Sequence, residues 1–260
     1  MKKFIKWFFI TLIVLIVVAV VGVHFFLDDI VKRGVVTIGP RITKTEIKLD
    51  SVSLSLLTGS GKLGGLIVGN PEGYKSPSAI QVGRTAMSVE PKSILSDKIV
   101  ISSINVIEPE VTLETDLREN NLGKILSNLE ETTGGSNSDS AQPKDPAAQT
   151  RKKLEVDDFV ISGGKLHVVV TTLGNRTASV KLPEIHLKDL GKGPEGITPA
   201  ELTKRVIQEL EKAAISASST AIADLSKGGV YMSQEFGKTG SSNGLDKAAK
   251  GLSDLFKKKQ

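Results

Sequence analysis

Few residues in this chain could do chemistry. Histidine occurs only at 24, 167 and 186, and there is no cysteine. That removes disulfides, thiolate metal sites, iron–sulfur clusters, a cysteine nucleophile and a lipidated N-terminal cysteine. His167 sits between Leu166 and Val168 in an alternating stretch, so it belongs to the solvated face of a strand, and His186 is read the same way. Neither has a carboxylate at metal-ligand spacing. Asp157 and Asp158 are adjacent, and strand geometry sends neighbours to opposite faces, so they do not form a paired-carboxylate site. Gly59-x-Gly61-x-x-Gly64 matches a bare dinucleotide-loop pattern. No helix follows it, and Asn70-Pro71 intervenes, so hairpin turns account for these glycines. No Gly-x-Ser-x-Gly nucleophile signature occurs, and Asn175-Arg176-Thr177 reads as a turn. The expectation is a protein with no catalytic residue, metal site or cofactor.

Composition agrees with a scaffold rather than a reaction centre. The 260 residues carry 34 Lys+Arg against 29 Asp+Glu, with 39% hydrophobic and only 4% aromatic residues. The core must therefore be aliphatic, and there is little aromatic surface for stacking bases. Setting aside Lys2, Lys3 and Lys6 leaves 31 basic residues against 29 acidic ones, so the net charge of +5 is no argument for nucleic acid. Phe256-Lys257-Lys258-Lys259 is a solvated basic tail.

Trp7 to Leu27 is a run without a formal charge, WFFITLIVLIVVAVVGVHFFL. As a helix it measures about 31 Å, the thickness of a bilayer core. It is longer than the apolar region of a cleaved signal peptide, and Val23-His24-Phe25-Phe26 is a poor cleavage site. We read an uncleaved signal anchor over residues 1–30, with Trp7, Phe8, Phe9, Leu12, Leu15, Phe25, Phe26 and Leu27 in the membrane. Lys2, Lys3 and Lys6 before the run balance Lys32, Arg33 and Arg41 after it. The short basic N-terminal tail favours N-in, which puts the bulk of the chain outside the cytoplasm.

Beyond the anchor the pattern turns to period 2. Glu46–Asp50, Val52–Leu56, Lys62–Val68, Ile80–Glu90, Ile99–Ile107, Glu110–Glu114, Leu154–Ile161, Lys165–Thr172 and Thr177–Leu190 read as strands. Pro91–Leu95 is a short helical turn or loop. Leu122, Ile125, Leu126 and Leu129 predict a short amphipathic helix. Thr132–Thr150 contains no Val, Ile, Leu, Met or aromatic residue and reads as a disordered insertion. Thr198-Pro199-Ala200-Glu201 is a capping box with proline at the first helical position. The helix it starts carries Leu202, Val206, Leu210, Ala213 and Ala217, and a weaker helix is expected over about 244–258. The organisation expected is an anchor (1–30), a first β region (31–131), the insertion (132–150), a second β region (151–192) and C-terminal helices with the tail (193–260).

The strands repeat. Ile101-x-x-Ile104-x-Val106-x-x-Pro109-x-Val111-x-Leu113 aligns without a gap on Val156-x-x-Phe159-x-Ile161-x-x-Gly164-x-Leu166-x-Val168. Leu49-x-x-Val52-x-Leu54 resembles the start of a third copy. The three-residue steps reverse side-chain parity, as a β-bulge or bend does. The fold class expected is β-rich α+β: one curved antiparallel sheet of about eight strands built from repeated hairpins, with the helix from Pro199 packed on it.

The order of these segments resembles a known family. An N-terminal anchor leads into Val52-Ser53-Leu54-Ser55-Leu56-Leu57-Thr58-Gly59, then Gly69-Asn70-Pro71-Glu72-Gly73-Tyr74, then the Ile104-x-Val106-x-Glu108-Pro109-x-Val111 strand. This looks like small members of the AsmA-like family of bacterial envelope proteins. The resemblance covers about residues 1–130, with 154–190 as a further repeat. It implies a single-pass inner-membrane protein with a periplasmic β-rich region, membrane lipids and envelope proteins as partners, and a role in lipid handling or outer-membrane maintenance. Larger relatives form long apolar grooves, and this chain is far shorter. Eight strands at about 4.8 Å spacing give a sheet roughly 38 Å wide, enough to shield one acyl lipid. Ile104, Val106, Val111, Phe159, Ile161 and Val168 are the candidate lining residues. The competing expectation is that they form an ordinary core in a tethered structural or protein-interaction module.

Overall fold

The structure, a computed structural model, describes Trp7, Ile10, Thr11 and residues 27–133 and 152–226. Among these, no helix is long and apolar enough to cross a membrane. The expected anchor (1–30) lies outside the described residues apart from Trp7, Ile10, Thr11 and residues 27–30, as do most of the expected insertion and the helix expected over 244–258.

Residues 27–43 form helix α1. Strands β1 (Ile47–Lys48), β2 (Ser51–Ser55), β3 (Ser60–Val68), β4 (Ile80–Val89), β5 (Lys98–Ile107) and β6 (Glu110–Thr115) follow. Then come α2 (Asn121–Thr133), β7 (Lys153–Ser162), β8 (Lys165–Val170), β9 (Arg176–Lys181), β10 (Ile185–Leu190) and α3 (Pro199–Ser226). All ten strands belong to one curled sheet, a half-barrel.

The sheet is mixed, not antiparallel as expected. β5 pairs β7 in parallel, and β6 pairs β8 in parallel. The other pairings are antiparallel. The reason lies in the connection. After β6 the chain returns through α2, so β7 starts at the same end of the sheet as β5, which a hairpin cannot achieve. The parallel register joins Ile101 to Val156, Ile104 to Phe159, Val106 to Ile161, Val111 to Leu166 and Leu113 to Val168. These are the residues that the repeat aligns, so its two copies lie side by side. Leu49–Leu54 is not a third equivalent copy, because it reaches the sheet through β3 and runs the opposite way to β5.

Ten strands reduce to six long ones. The register of β1 on β3 continues into β2, that of β5 into β6, and that of β7 into β8. The register of β9 on β8 likewise continues into β10 on β7. The breaks fall in one line across the sheet. Between the paired positions lie Asp50, Gly65, Gly83, Glu108, Gly163 and Pro183, each opposite the next. At this crease Gly65, Glu108 and Gly163 have positive φ (65°, 50° and 67°). A side chain on Gly65 would meet the Asp50 carboxylate at 2.0 Å, so the strands close here only around glycine. A left-handed residue skips one position, so the side chains below and above the crease stay on one face. The step from Ile101 to Ile104 is a second irregularity, where the β4–β5 register shifts at Ser88/Val89.

That face holds a single hydrophobic core. α2 and α3 cover its upper part, where Val111, Leu166, Val168 and Val170 are wholly buried against Leu122, Ile125 and Leu129. The capping box forms as expected: the Thr198 amide donates to Glu201 Oε2 (2.8 Å) and the Glu201 amide to Thr198 Oγ1 (3.1 Å). Ile207, Leu210, Ala214, Ser218, Ala221 and Leu225 form the buried stripe of α3. Leu202, Val206, Ala213 and Ala217 flank it, half-buried against the core, so the helix is rotated slightly from the expected stripe. Arg176 donates to the Leu225 carbonyl (2.8 Å) and closes the helix C-terminus.

Candidate functional site

Below the crease the inner face is ordered in rows that cross the sheet. One row runs Val52, Leu63, Thr85, Val106, Ile161, Ile185. The next runs Leu54, Gly61, Met87, Ile104, Phe159, Leu187. The last runs Val89, Ile101, Val156, Leu190. Thr85 is the one polar member. Gly61 leaves a gap in its row: a Cβ there would meet Met87 Cγ at 2.5 Å and Leu54 Cδ2 at 2.9 Å. Those two side chains therefore lean over the same glycine.

All six candidate lining residues lie on this face; five belong to the one core cluster and Val106 packs against it. Ile104 and Phe159 share a row, Val106 and Ile161 share the next, and Val111 and Val168 stand above the crease. Val111 and Val168 have no exposed surface, and Ile161, Ile104 and Phe159 keep only 4%, 7% and 7%. Val106 is half-buried. Cover thins toward the first strands, where Leu54, Leu63, Met87 and Val89 are half-buried. On the far side of the lowest row Ile101, Val156 and Leu190 stay buried, at 8%, 0% and 7% exposure, although Ile99 and Leu187 near them are half-buried. The sequence pattern picked the centre of the face and passed over this open margin, whose short alternation in Val52–Leu56 was the available signal.

α1 follows the first edge of the sheet down to that margin. Asp28 Oδ1 accepts from the Leu54 amide (2.8 Å), and Lys32 Nζ donates to the Asp50 carbonyl (2.7 Å). The end of the 21-residue uncharged run is thus fixed beside the half-covered rows.

The Gly69–Tyr74 motif has a structural task at the other end. Asn121 is wholly buried, and its Nδ2 donates to Asn70 Oδ1 (2.7 Å) and to the Thr112 carbonyl (2.8 Å). Asn121 Oδ1 accepts from the Glu114 amide (3.0 Å). Asn70 Nδ2 donates to the Ser76 carbonyl (2.6 Å). Glu114, 3% exposed, accepts from the Lys75 amide (3.0 Å), the Ser76 amide (2.7 Å) and the Ser76 hydroxyl (2.5 Å). Burial pushes its pKa up, but the Ser76 hydroxyl, the two amides and the Lys75 charge outweigh that, and the net shift is downward. A cavity of about 250 Å³ opens beside it, lined by Glu72, Tyr74, Glu114, Asp116, Glu119 and Lys124. Burial and the neighbouring Glu119, Asp116 and Glu114 charges raise the Tyr74 pKa. Among the described residues no group of three or more histidines or carboxylates is placed to hold a metal ion.

His167 and His186 reach the surface, as the alternation implies. His167 shares a hydrogen bond with Ser179 Oγ (2.9 Å). His186 Nε2 lies 2.5 Å from Asp158 Oδ1, a pair that sequence spacing does not show because β7 and β10 bring it together.

A search of the curated proteins returned no significant match. The family model described as the AsmA family matches residues 1–245, nearly the whole length. Both the repeat and the Gly69–Tyr74 loop network fall within that span, and the chain belongs to the AsmA family.

Proposed function

We propose that this is a non-enzymatic, single-pass inner-membrane protein, N-in with its bulk in the periplasm, that contributes to envelope lipid handling or outer-membrane maintenance. Family membership supports an envelope role. The observation that carries the lipid reading is the gradient of cover on the inner face. It falls from complete burial under α2 and α3 to half-burial at Leu54, Met87, Val89 and Ile99, beside the end of the uncharged run. An acyl chain leaving the bilayer would meet those rows first. Six strands cover about 25 Å at the usual spacing, so one chain shields one lipid and does not bridge two membranes.

The second reading is a tethered structural or interaction module. It is favoured by the deep burial of Ile104, Val111, Phe159, Ile161 and Val168. Photo-crosslinking in cells separates the two. Benzoylphenylalanine in place of Met87, on the inner face, is expected to capture lipid, and in place of Ser179, an exposed residue of β9, it is not. Capture of protein alone at Met87 would replace the lipid reading by the second.

A further inference from the structure

The hairpin joining β2 to β3 projects a bare apolar tip. Leu57 is 82% exposed, more than any other large apolar side chain among the described residues. From Ser51 to Gly61 the chain carries no charge, although charged residues stand on both sides at Asp50 and Lys62. A single exposed leucine is ordinary on a protein surface; what sets Leu57 apart is where the hairpin holds it.

The tip is held in place. Val89 donates its amide to the Gly59 carbonyl (2.6 Å), Thr58 Oγ1 and Ser60 Oγ share a hydrogen bond (2.8 Å), and a Cβ on Gly59 would strike the Val89 carbonyl at 2.0 Å. The hairpin is therefore fastened to the end of β4. Its position relative to α1 is also fixed, by the Asp28–Leu54 hydrogen bond. Leu57 is three residues beyond Leu54, so its backbone lies within about 10 Å of that bond. Asp28 is the first charged residue after Trp7–Leu27. When that run occupies the bilayer core, Asp28 stands at headgroup level, and so does the tip.

We infer that the β2–β3 tip is a membrane-interface wedge: Leu56-Leu57-Thr58-Gly59 inserts the Leu57 side chain into the outer leaflet of the bilayer that holds the anchor. This rests on the anchor reading of the proposed function. The occupant is the lipid interface rather than a protein, because the tether puts the tip at headgroup depth and the turn supplies hydroxyls and no charge. Two attachments, the span and the wedge, then stop the sheet from swinging about α1. They hold the half-covered rows of Leu54 and Met87 against the bilayer.

The absence of native cysteine makes the test direct. Full-length Leu57→Cys, Thr177→Cys and Leu15→Cys chains are labelled with an environment-sensitive fluorophore. They are then reconstituted in vesicles of phosphatidylethanolamine and phosphatidylglycerol. Nitroxide placed near the headgroup end of the lipid acyl chains is expected to quench the Leu57→Cys label about two-fold or more beyond the Thr177→Cys label, with iodide in the water showing the reverse order. The Leu15→Cys label reports the anchor. If it is shielded from iodide and quenched from the lipid while Leu57→Cys behaves like Thr177→Cys, the wedge is wrong and the anchor stands. If Leu15→Cys is itself open to iodide, both fall. Shielding of Leu57→Cys from iodide without quenching from lipid would mean that a second copy of the chain covers the tip and would also overturn the wedge.

Discussion

Glu108 and Gly163 stand opposite each other across the parallel strands, and both have left-handed backbone, φ 50° and 67°. The Glu108 amide donates to the Ser162 carbonyl (2.9 Å), which ties the two bends together. Glycine adopts this conformation freely, and glutamate does so at a cost of about 1–2 kcal/mol. Glu108→Gly is therefore expected to raise the free energy of unfolding, by up to about 1 kcal/mol once the entropy of an added glycine is counted. Gly163→Ala is expected to lower it by about 1–2 kcal/mol, because the added Cβ sits 3.1 Å from Glu108 Cγ in a strained backbone. Chemical denaturation followed by circular dichroism measures both. A loss on Glu108→Gly would show that its side chain, not its backbone, is what the crease needs.

The crease shows why part of this fold was legible. Parity reverses wherever a strand skips a position, so the steps from Val106 to Pro109 and from Ile161 to Gly164 are visible as letters. The same letters gave the pairing of Ile104 with Phe159 as similarity, because neighbouring strands bury equivalent sites. Strand direction was not legible, since alternation is identical in parallel and antiparallel pairs. It is set by the return through α2, a three-dimensional fact. Of the candidate site, the six chosen residues do share one face. The half-covered margin at Leu54 and Met87 was missed because exposure depends on where α2 and α3 end. The Glu114–Asn121–Asn70 network was missed because polar partners far apart in sequence leave no period.

Glu114 makes the far end of the molecule sensitive to acid. Its folded pKa is depressed, so the native state favours its ionised form. The stability this gives is present above the unfolded glutamate value, about 4.3, and is lost as pH falls through the lower folded value. Glu114→Gln keeps the shape but turns one acceptor into a donor facing the Ser76 and Lys75 amides. It is expected to cost about 1–3 kcal/mol at pH 7 and to flatten the stability profile below pH 4. An unchanged acid profile in the variant would show that Glu114 is not the sensitive group.

The start of α3 offers a smaller and cleaner effect. Thr198 satisfies the Glu201 amide, and Glu201 in turn lowers its own pKa by accepting from the Thr198 amide and then from its hydroxyl. Thr198→Ala removes the side-chain half of this exchange and should cost about 1 kcal/mol. Hydrogen exchange should quicken in the first turn of α3 and stay unchanged near Ala221 and Leu225, which are held by packing.

The topology of the chain is testable by position. With residues 7–27 as a single N-in span, a C-terminal alkaline phosphatase fusion should be active, and a cytoplasm-dependent fluorescent fusion at the same point should stay dark. The opposite pair of results would reverse the orientation. It would also remove the periplasm from the proposal.

Polar substitution on the inner face separates sealed core from open margin. Val168 has no exposed surface and lies under α2 and α3. Val168→Asp buries a carboxylate without a partner and should cost several kcal/mol, enough to unfold a domain of ordinary stability. Met87 is half-buried beside Gly61, at the edge of the cover. Met87→Asp can turn its carboxylate toward water, so the expected cost is only about 1–2 kcal/mol and the protein should still fold. A folded Met87→Asp that loses its lipid crosslinks, with Val168→Asp unfolded, is the pattern that the lipid-contact reading requires. Thermal unfolding of both full-length variants in detergent, followed by crosslinking at Leu54 in the folded one, measures it. Were Met87→Asp to unfold as readily as Val168→Asp, the margin would be core, and the inner face would have no free surface to offer an acyl chain.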